Sequence, residues 1–273
     1  MIQRIIPSSG KSLPVIGLGT WQTFDVVDEI NYPALKNVLQ KLNSAGGTMI
    51  DSSPMYGKAE EVVGNITSRM PTADDFFYAT KVWTTGQQEG ISQIEGSFRK
   101  MQRKTIDLLQ IHNITDWKTH LPYLRLLKEK GIIKYIGITH YTDASHVALE
   151  KIFIAEKLDF VQFNYSINAR HAEIRLLDVA ANHGVATLIN RPFAEGSLFA
   201  KVNGKILPAW ASQSGISSWT EYFLKYIISH PAVTCVIPAT SNPSHADEIN
   251  KAGTGNLPDE KMRKKMVDYF DTL

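Results

Sequence analysis

The chain has 273 residues, of which 43% are hydrophobic, and its 29 basic and 27 acidic residues leave a formal net charge of +2. This length exceeds that of an ordinary domain but suits a single α/β barrel, so the sequence predicts one domain over residues 1–273. The charges are spread along the chain without a block of one sign, which argues against nucleic acid as a partner.

The only cysteine is Cys235, and it lies in an apolar run. One thiol forms neither an intramolecular disulfide nor a cysteine metal cluster, so nothing indicates an oxidising compartment. No segment approaches the ~18 apolar residues of a membrane span, and the first residues lack the apolar core of a signal peptide. We expect a cytoplasmic protein without a membrane partner, although an export leader removed upstream would leave the same pattern.

Short apolar runs of β-favouring residues alternate with longer segments of helical periodicity. The predicted strands are 15–20, 48–50, 77–81, 108–111, 136–139, 160–163, 187–189 and 234–237. The predicted helices are 32–45, 59–69, 90–101, 119–129, 143–156, 172–183, 216–229, 244–251 and a terminal helix, 258–270, with Pro258 in its first turn.

Eight strand–helix pairs, with strands that are apolar on both faces, predict a parallel sheet that closes into a (β/α)8 TIM barrel. Residues 4–6 and 13–15 predict an N-terminal β-hairpin that caps the barrel floor. A doubly wound sheet is the alternative. Its dinucleotide form requires G-x-G-x-x-G after the first strand, and here Gly17-Leu-Gly19 is followed by Gln22 in the third glycine's place. The two glycines are explained either by a tight strand end or by a close approach to a phosphate.

Four polar residues follow neighbouring predicted strands: Asp51, Tyr56, Lys81 and His112. In an α/β barrel these strand ends meet at one mouth, where active sites are built. A buried charge needs a partner, so we expect Asp51 and Lys81 to pair. We expect the ammonium to lower the pKa of the Tyr56 phenol, and His112 to donate a hydrogen bond to a substrate carbonyl. Each residue also has an ordinary structural explanation, and only their combination favours catalysis.

Three tryptophans, Trp21, Trp83 and Trp117, follow predicted strands on the same rim. Together with Tyr56 and His112 they are candidates for lining an apolar substrate pocket. Packing beneath the loops explains the tryptophans equally well, because aromatic rings also dominate ordinary burial.

Three segments resemble the aldo-keto reductases: residues 47–57 with 60–64 after them, residues 79–83, and residues 107–112. The order and spacing of these segments are highly specific, and the resemblance extends over nearly the whole chain. It implies an NAD(P)H-dependent oxidoreductase that reduces aldehyde or ketone carbonyls to alcohols. It also implies that Asp51, Tyr56, Lys81 and His112 form the catalytic tetrad, with Tyr56 as general acid.

The resemblance further implies the positions that hold the nicotinamide cofactor. Thr139 and His140 replace the family's usual Ser-Asn pair at the carboxamide, and Asn190 replaces the tyrosine that commonly stacks on the ring. The implied cofactor-binding residues are Gly19, Thr20, Trp21, Asp51, Thr139, His140, Gln162, Asn190, Arg191, Pro192, Phe193, Gly196, Ser197, Ala239, Thr240, Ser241, Asn242 and His245. Ala239 and His245 stand where the family places Lys and Arg against the 2′-phosphate of NADPH. The resemblance therefore implies NADPH as the cofactor, with NADH as the alternative.

Two other functions remain open from the residues. Lys81 could serve as the nucleophile of a Schiff-base lyase, although a neighbouring carboxylate would keep it charged. The chain could also be a non-catalytic module that binds nicotinamide cofactor and reports redox state. No His-x-His or paired His/Asp set lies on the strand ends, so the sequence predicts no metal site. The expected partner is a small carbonyl substrate, and the expected assembly is a monomer or a weak homo-oligomer.

Overall fold

The computed structural model describes the backbone of residues 1–273 and every side chain except that of residue 213. Its strands are β1 (Gln3–Ile5), β2 (Ser12–Pro14), β3 (Leu18–Gly19), β4 (Met49–Asp51), β5 (Phe77–Val82), β6 (Ile106–Ile111), β7 (Ile133–Thr139), β8 (Phe160–Asn164), β9 (Ala186–Asn190) and β10 (Cys235–Val236). Each predicted strand is present, with ends that differ by a few residues.

The helices alternate with these strands as predicted. They are α1 (Tyr32–Ser44), α2 (Ala59–Thr67), α3 (Gln87–Lys100), α4 (Trp117–Glu129), α5 (His146–Glu156), α6 (His171–Ile174), α7 (Leu176–Asn182), α8 (Ser197–Lys201), α9 (Ala209–Gln213), α10 (Trp219–Ile228), α11 (Pro243–Ala252) and α12 (Glu260–Asp271). The single helix predicted over 172–183 is divided at Arg175, whose φ of −158° and ψ of −47° lie outside the helical region. The short helices α8 and α9 lie in the connection between β9 and α10, and the sequence analysis missed them.

The strands β3 to β10 form one parallel sheet in chain order, and its two edges meet. Ile16 bridges to Val236 and Gly19 to Ala239, and the Gly19 amide donates to the Pro238 carbonyl at 2.9 Å. This seam confirms the barrel and makes the doubly wound alternative wrong. A Cβ on Gly19 would lie 2.9 Å from the Ile237 carbonyl oxygen, so the seam itself requires a residue without a side chain.

The antiparallel hairpin of β1 and β2 closes the barrel floor. Its residues Ile6 and Leu13 belong to the buried cluster inside the barrel, which also contains Met49, Tyr135 and Phe160. The predicted cap is therefore confirmed, with each strand one residue earlier than expected.

The inward-facing side chains of the strands form an apolar layer at the barrel floor and a polar layer near the mouth. On β6, Leu108 belongs to the floor cluster, and Gln110 lies one inward position closer to the mouth, where it bonds Asp51. The outward-facing Leu109 and Ile111 pack with the helices in the larger core cluster. The prediction of strands apolar on both faces therefore describes the floor and misses the inward polar side chains near the mouth.

Two helix starts on the C-terminal side are fixed by side-chain caps. Asn242 accepts from the Ser244 amide at 2.9 Å and Pro243 begins α11. Asp259 accepts from the Met262 amide at 2.7 Å, so α12 begins at Glu260. Pro258 therefore precedes the cap and does not lie in the first turn, which corrects the prediction. Among the described residues, no helix is long and apolar enough to cross a membrane.

Candidate active site

A cavity of about 540 Å³ opens at the carboxyl ends of the barrel strands. The sequence-predicted residues that line it are Gly19, Thr20, Trp21, Asp51, Tyr56, Trp83, His112, Thr139, Gln162, Asn190, Arg191, Pro192, Phe193, Gly196 and Ala239. Three of the four proposed tetrad residues, Asp51, Tyr56 and His112, are among them. The fourth, Lys81 on β5, is fully buried and reaches the site through its contact with Asp51.

Asp51 and Lys81 form a buried ion pair at the base of this cavity. The Lys81 ammonium lies 2.6 Å from Asp51 Oδ2 and also donates to the Ser52 carbonyl at 2.7 Å. Burial is the largest single effect and would lower the pKa of Lys81, but the charges of Asp51 and Tyr56 and the hydrogen bonds to them together outweigh it, so the pKa is raised. The lysine therefore stays charged, as the pairing argument predicts, and is a poor Schiff-base nucleophile.

Tyr56 lies in a tight loop between β4 and α2. Its amide donates to the Ser53 carbonyl at 3.0 Å, and its carbonyl accepts from the Ala59 amide at 3.0 Å. The next residue, Gly57, has a φ of +58°, and a Cβ there would lie 2.2 Å from Asp25 Oδ1. That same Asp25 oxygen accepts from the Lys58 amide at 2.9 Å. Gly57 is therefore required both for the turn and for the carboxylate that anchors it.

The phenol of Tyr56 has a raised pKa, which corrects the lowered value expected from the sequence. Desolvation by burial is the largest cause, and it outweighs the opposing effect of Lys81, whose ammonium lies 4.8 Å from the ring centroid. The charge of Asp51 also raises this pKa, because it offsets the lysine. Tyr56 is therefore protonated at neutral pH.

His112 faces Tyr56 edge to face, with the ring centroids 5.7 Å apart. Burial and the charge of Lys81 lower the pKa of His112 to about 2, so the imidazole is neutral. Its Nδ1 lies 3.1 Å from Ser53 Oγ, which already accepts from the Met55 amide at 3.3 Å. We infer that the Ser53 hydroxyl donates this hydrogen bond to Nδ1 of His112. The imidazole proton then lies on Nε2.

Two glutamines complete the polar layer under the cavity. Gln110 Nε2 donates to Asp51 Oδ1 at 2.8 Å, and Gln162 Nε2 donates to the same oxygen at 3.2 Å and to Gln110 Oε1 at 3.1 Å. The N–H groups of Gln162 are thus used inside the barrel. The sequence analysis missed Gln110, although its position two residues before His112 on β6 could have identified it, since alternate strand residues share a face.

The remaining candidates do not belong to the cavity wall. Apart from the buried Lys81, they are Trp117, His140, Ser197, Thr240, Ser241, Asn242 and His245. Trp117 begins α4 and packs half-buried against the core. His140 stacks its ring on Tyr141 at 5.2 Å and accepts the Tyr141 amide at Nδ1. Ser197 lies at the start of α8, and residues 240–242 and 245 surround the start of α11.

In the loop after β9, Arg191 makes two side-chain contacts. Its guanidinium lies 2.8 Å from Glu195 and 4.3 Å from the centroid of the Tyr141 ring. The backbone at Arg191 and Glu195 has positive φ, +53° and +57°. Just before this loop, Asn190 lines the cavity and its Nδ2 donates to the His140 carbonyl at 3.1 Å.

Several cavity residues were not predicted from the sequence: Gln22, Thr23, Met55, Asn113, Tyr141, Glu195, Phe199 and Ile237. Most of them lie directly beside a predicted residue. Tyr141 and Asn113, for example, each follow a strand-end residue that was identified, so a prediction extended by one or two loop residues would have found them.

Comparison with known proteins agrees with this geometry. A model of the Aldo/keto reductase family matches residues 15–266. Methylglyoxal reductase YeaE of Escherichia coli K12 is 25% identical over 263 residues, which cover 91% of this chain and 88% of that protein. Methylglyoxal reductase DkgA of Yersinia pestis is 27% identical over 198 residues, covering 68% of this chain and 65% of that relative, just under two thirds of its length.

A solved structure supports the fold. The crystal structure of an aldo/keto reductase from Klebsiella pneumoniae in complex with NADP and acetate superposes with a TM-score of 0.82 at 22% identity, over 99% of this chain and 96% of that one. Because the family model spans nearly the whole chain, this protein belongs to the aldo/keto reductase family.

Proposed function

We propose that this protein is an NAD(P)H-dependent oxidoreductase that reduces aldehyde or ketone carbonyls to alcohols, with Tyr56 as the proton donor. The observation that carries the proposal is that Tyr56, His112 and Asp51 line one cavity, with the buried Lys81 paired to Asp51 and 4.8 Å from the Tyr56 ring. The family membership and the relatives named as methylglyoxal reductases support it.

The cavity fits a nicotinamide cofactor. Two buried amide oxygens among its lining residues, Asn113 Oδ1 and Asn190 Oδ1, have no hydrogen-bond partner among the described residues. Each of these oxygens needs an N–H donor, and the carboxamide of the nicotinamide ring offers such donors. No described atom lies within 4 Å of a Cβ built on Gly196, so the rim is open there. The cofactor-binding residues predicted from the sequence are proposed to hold the nicotinamide cofactor. The cofactor supplies the hydride when bound.

The protein's own residues handle the proton. Tyr56 is protonated at neutral pH and can transfer its phenolic proton to the substrate oxygen. The phenolate left behind lies beside the Lys81 ammonium, which stabilises it. The Nε2–H of His112 is free to donate to the same substrate oxygen and to orient the carbonyl. Trp21 and Trp83, which line the cavity and are 38% and 42% exposed, are proposed to contact the substrate.

The choice between NADPH and NADH is a separate and more specific proposal. NADPH is proposed from the family and from the NADP complex of the Klebsiella protein. Ala239 and His245, however, provide no permanent cation at the start of α11, so NADH is the second candidate.

A single domain over 1–273, a cytoplasmic location and a monomer or weak homo-oligomer remain predictions.

The test compares Tyr56→Phe with the matched variant Tyr123→Phe on α4, outside the cavity. Both are assayed with NADPH and NADH against a panel of aldehydes and ketones that begins with methylglyoxal. Tyr56→Phe should lower kcat by at least about 100-fold while a fluorescence titration shows unchanged cofactor affinity. Unchanged turnover in Tyr56→Phe would exclude this phenol as the acid, and cofactor binding by the wild type without turnover of any compound would favour the redox-reporting alternative.

A further inference from the structure

A cluster of metal-ligating side chains lies beside the barrel mouth, outside the cavity already described. Asp143 precedes α5, His146 is the first residue of α5, and His171 is the first residue of α6. One ligand atom from each of these three residues lies within 4.8 Å of the others. The two strands before these helices, β7 and β8, are paired neighbours, which is why residues 25 apart in sequence meet.

The two imidazoles already point a nitrogen at each other. His146 Nδ1 and His171 Nδ1 are 3.0 Å apart. Two nitrogens bound to one tetrahedral zinc ion at about 2.0 Å are separated by about 3.3 Å. A metal ion would therefore need the two nitrogens to move apart by only a few tenths of an ångström. Asp143 Oδ1 lies 3.9 Å from His146 Nε2, so its carboxylate would also have to turn toward the two Nδ1 atoms. His171 and Asp143 are exposed and can make this adjustment, while His146 is buried.

A supporting hydrogen-bond partner is also in place. His146 Nε2 lies 3.1 Å from Asn164 Oδ1, an oxygen that can only accept, so the imidazole proton is on Nε2 and the Nδ1 lone pair faces His171. Asn164 Nδ2 in turn donates to Asp143 Oδ1 at 2.6 Å. One amide thus orients both a histidine and a carboxylate, as the outer partners of metal ligands commonly do.

We propose that Asp143, His146 and His171 form a binding site for a divalent transition ion of the zinc type, with both Nδ1 atoms and an Asp143 carboxylate oxygen as ligands and solvent in the fourth position. Imidazole and carboxylate ligands suit such an ion. The bound ion joins the segment after β7 to the segment after β8. The sequence analysis predicted no metal site because these residues lie at or just before helix starts, beyond the strand ends, and far apart along the chain.

The proposal is independent of the proposed reaction, so its test does not use activity. Full-length protein without a histidine tag is stripped with a chelator and titrated with Zn²⁺ against a chromophoric competitor. Wild type should bind one equivalent with micromolar or tighter affinity, and Co²⁺ should give the visible absorption of a tetrahedral site. Asn164→Ala should weaken zinc binding about 10- to 100-fold, because the ligands lose their orienting partner.

His171→Ala should abolish the cobalt absorption, and Asp143→Asn should weaken zinc binding. His183→Ala is the matched control, an exposed histidine at the end of α7. Circular dichroism of the metal-free variants checks that they are folded. Equal zinc affinity in wild type and His171→Ala, or an equal loss in His183→Ala, would overturn the proposal and leave an ordinary histidine–histidine hydrogen bond.

Discussion

Gln110 donates from Nε2 to Oδ1 of Asp51 at 2.8 Å, the carboxylate oxygen that Lys81 does not contact. The buried carboxylate is thereby bonded at both oxygens. A buried charge is tolerated only when it is paired and its lone pairs are satisfied, so the glutamine layer is part of what allows an ion pair inside the barrel.

Replacing Gln110 with leucine should therefore destabilise the fold. A hydrogen bond to a charged group contributes about 1.5–3 kcal/mol, and the variant also removes an acceptor from Gln162. We expect Gln110→Leu to lower the free energy of unfolding in urea by about that amount. Gln88→Leu, at an exposed position of α3, should change it by less than about 0.5 kcal/mol. Equal effects of the two variants would contradict the role of the glutamine layer.

The ion pair itself predicts a non-additive double variant. Lys81→Met leaves the Asp51 carboxylate buried without its cation, at a cost of about 3–5 kcal/mol. Combining it with Asp51→Asn removes the stranded charge, so the double variant should be more stable than Lys81→Met alone. Urea unfolding of the wild type, both single variants and the double variant measures the coupling. Simple additivity would show that the pair does not interact strongly in solution.

The turn after Tyr56 predicts a loss of activity from a single methyl group. Gly57→Ala introduces a Cβ that overlaps Asp25 Oδ1 at a φ of +58°. The clash should displace the loop, lower kcat by about 10-fold or more, and destabilise the protein by about 1–3 kcal/mol. Gly10→Ala is the matched control, because Gly10 has a φ of +72° with no described atom within 4 Å of its Cβ. That variant should lose stability from backbone strain alone and keep full activity.

The neutral imidazole of His112 predicts an acid-sensitive stability. Its folded pKa of about 2 lies below its ordinary value of 6.5, so in this window the unfolded chain binds the proton more tightly. The stability that His112 contributes is present above pH 6.5 and is lost as the pH falls below it. Between pH 6 and pH 4 this group should cost the wild type roughly 2–3 kcal/mol.

His112→Gln cannot titrate, so its stability should fall less than that of the wild type over the same interval. Chemical unfolding at a series of pH values measures how the free energy of unfolding of each protein changes with pH. The difference between the two proteins at pH 7 gives the effect of altered packing in the variant. Parallel curves for the two proteins would show that the pKa of His112 is the same in the folded and unfolded chains.

The start of α11 predicts a variant with changed cofactor preference. His245 lies 3.5 Å from Asn242, which caps this helix, and carries no permanent charge. His245→Arg would place a guanidinium there, and a charge-assisted hydrogen bond to a 2′-phosphate adds about 1.5–3 kcal/mol. NADPH should bind about 10- to 100-fold more tightly, with unchanged NADH affinity as the internal control. Equal gains for both cofactors would place the 2′-phosphate elsewhere.

The order of strands and helices was predictable because hydrophobic periodicity is a local property of the chain. The strand-end residues Asp51, Lys81 and His112 were predictable for a related reason. Parallel strands in a barrel run in one direction, so their final polar residues must meet at one mouth. The break at Arg175 and the short helices α8 and α9 were missed, since weak local periodicity does not distinguish a short helix from a loop.

By itself, then, the sequence determined the barrel, its hairpin cap and the identity of the four polar residues at the mouth. The tertiary structure decided the direction of the Tyr56 pKa shift, because desolvation sums over the many distant groups that bury a phenol. It also decided that the rings of His140 and Trp117 lie outside the cavity wall, and that Asp143, His146 and His171 lie together. These are distances between loops, and loop positions depend on packing against the whole barrel, which the sequence of a single segment does not encode.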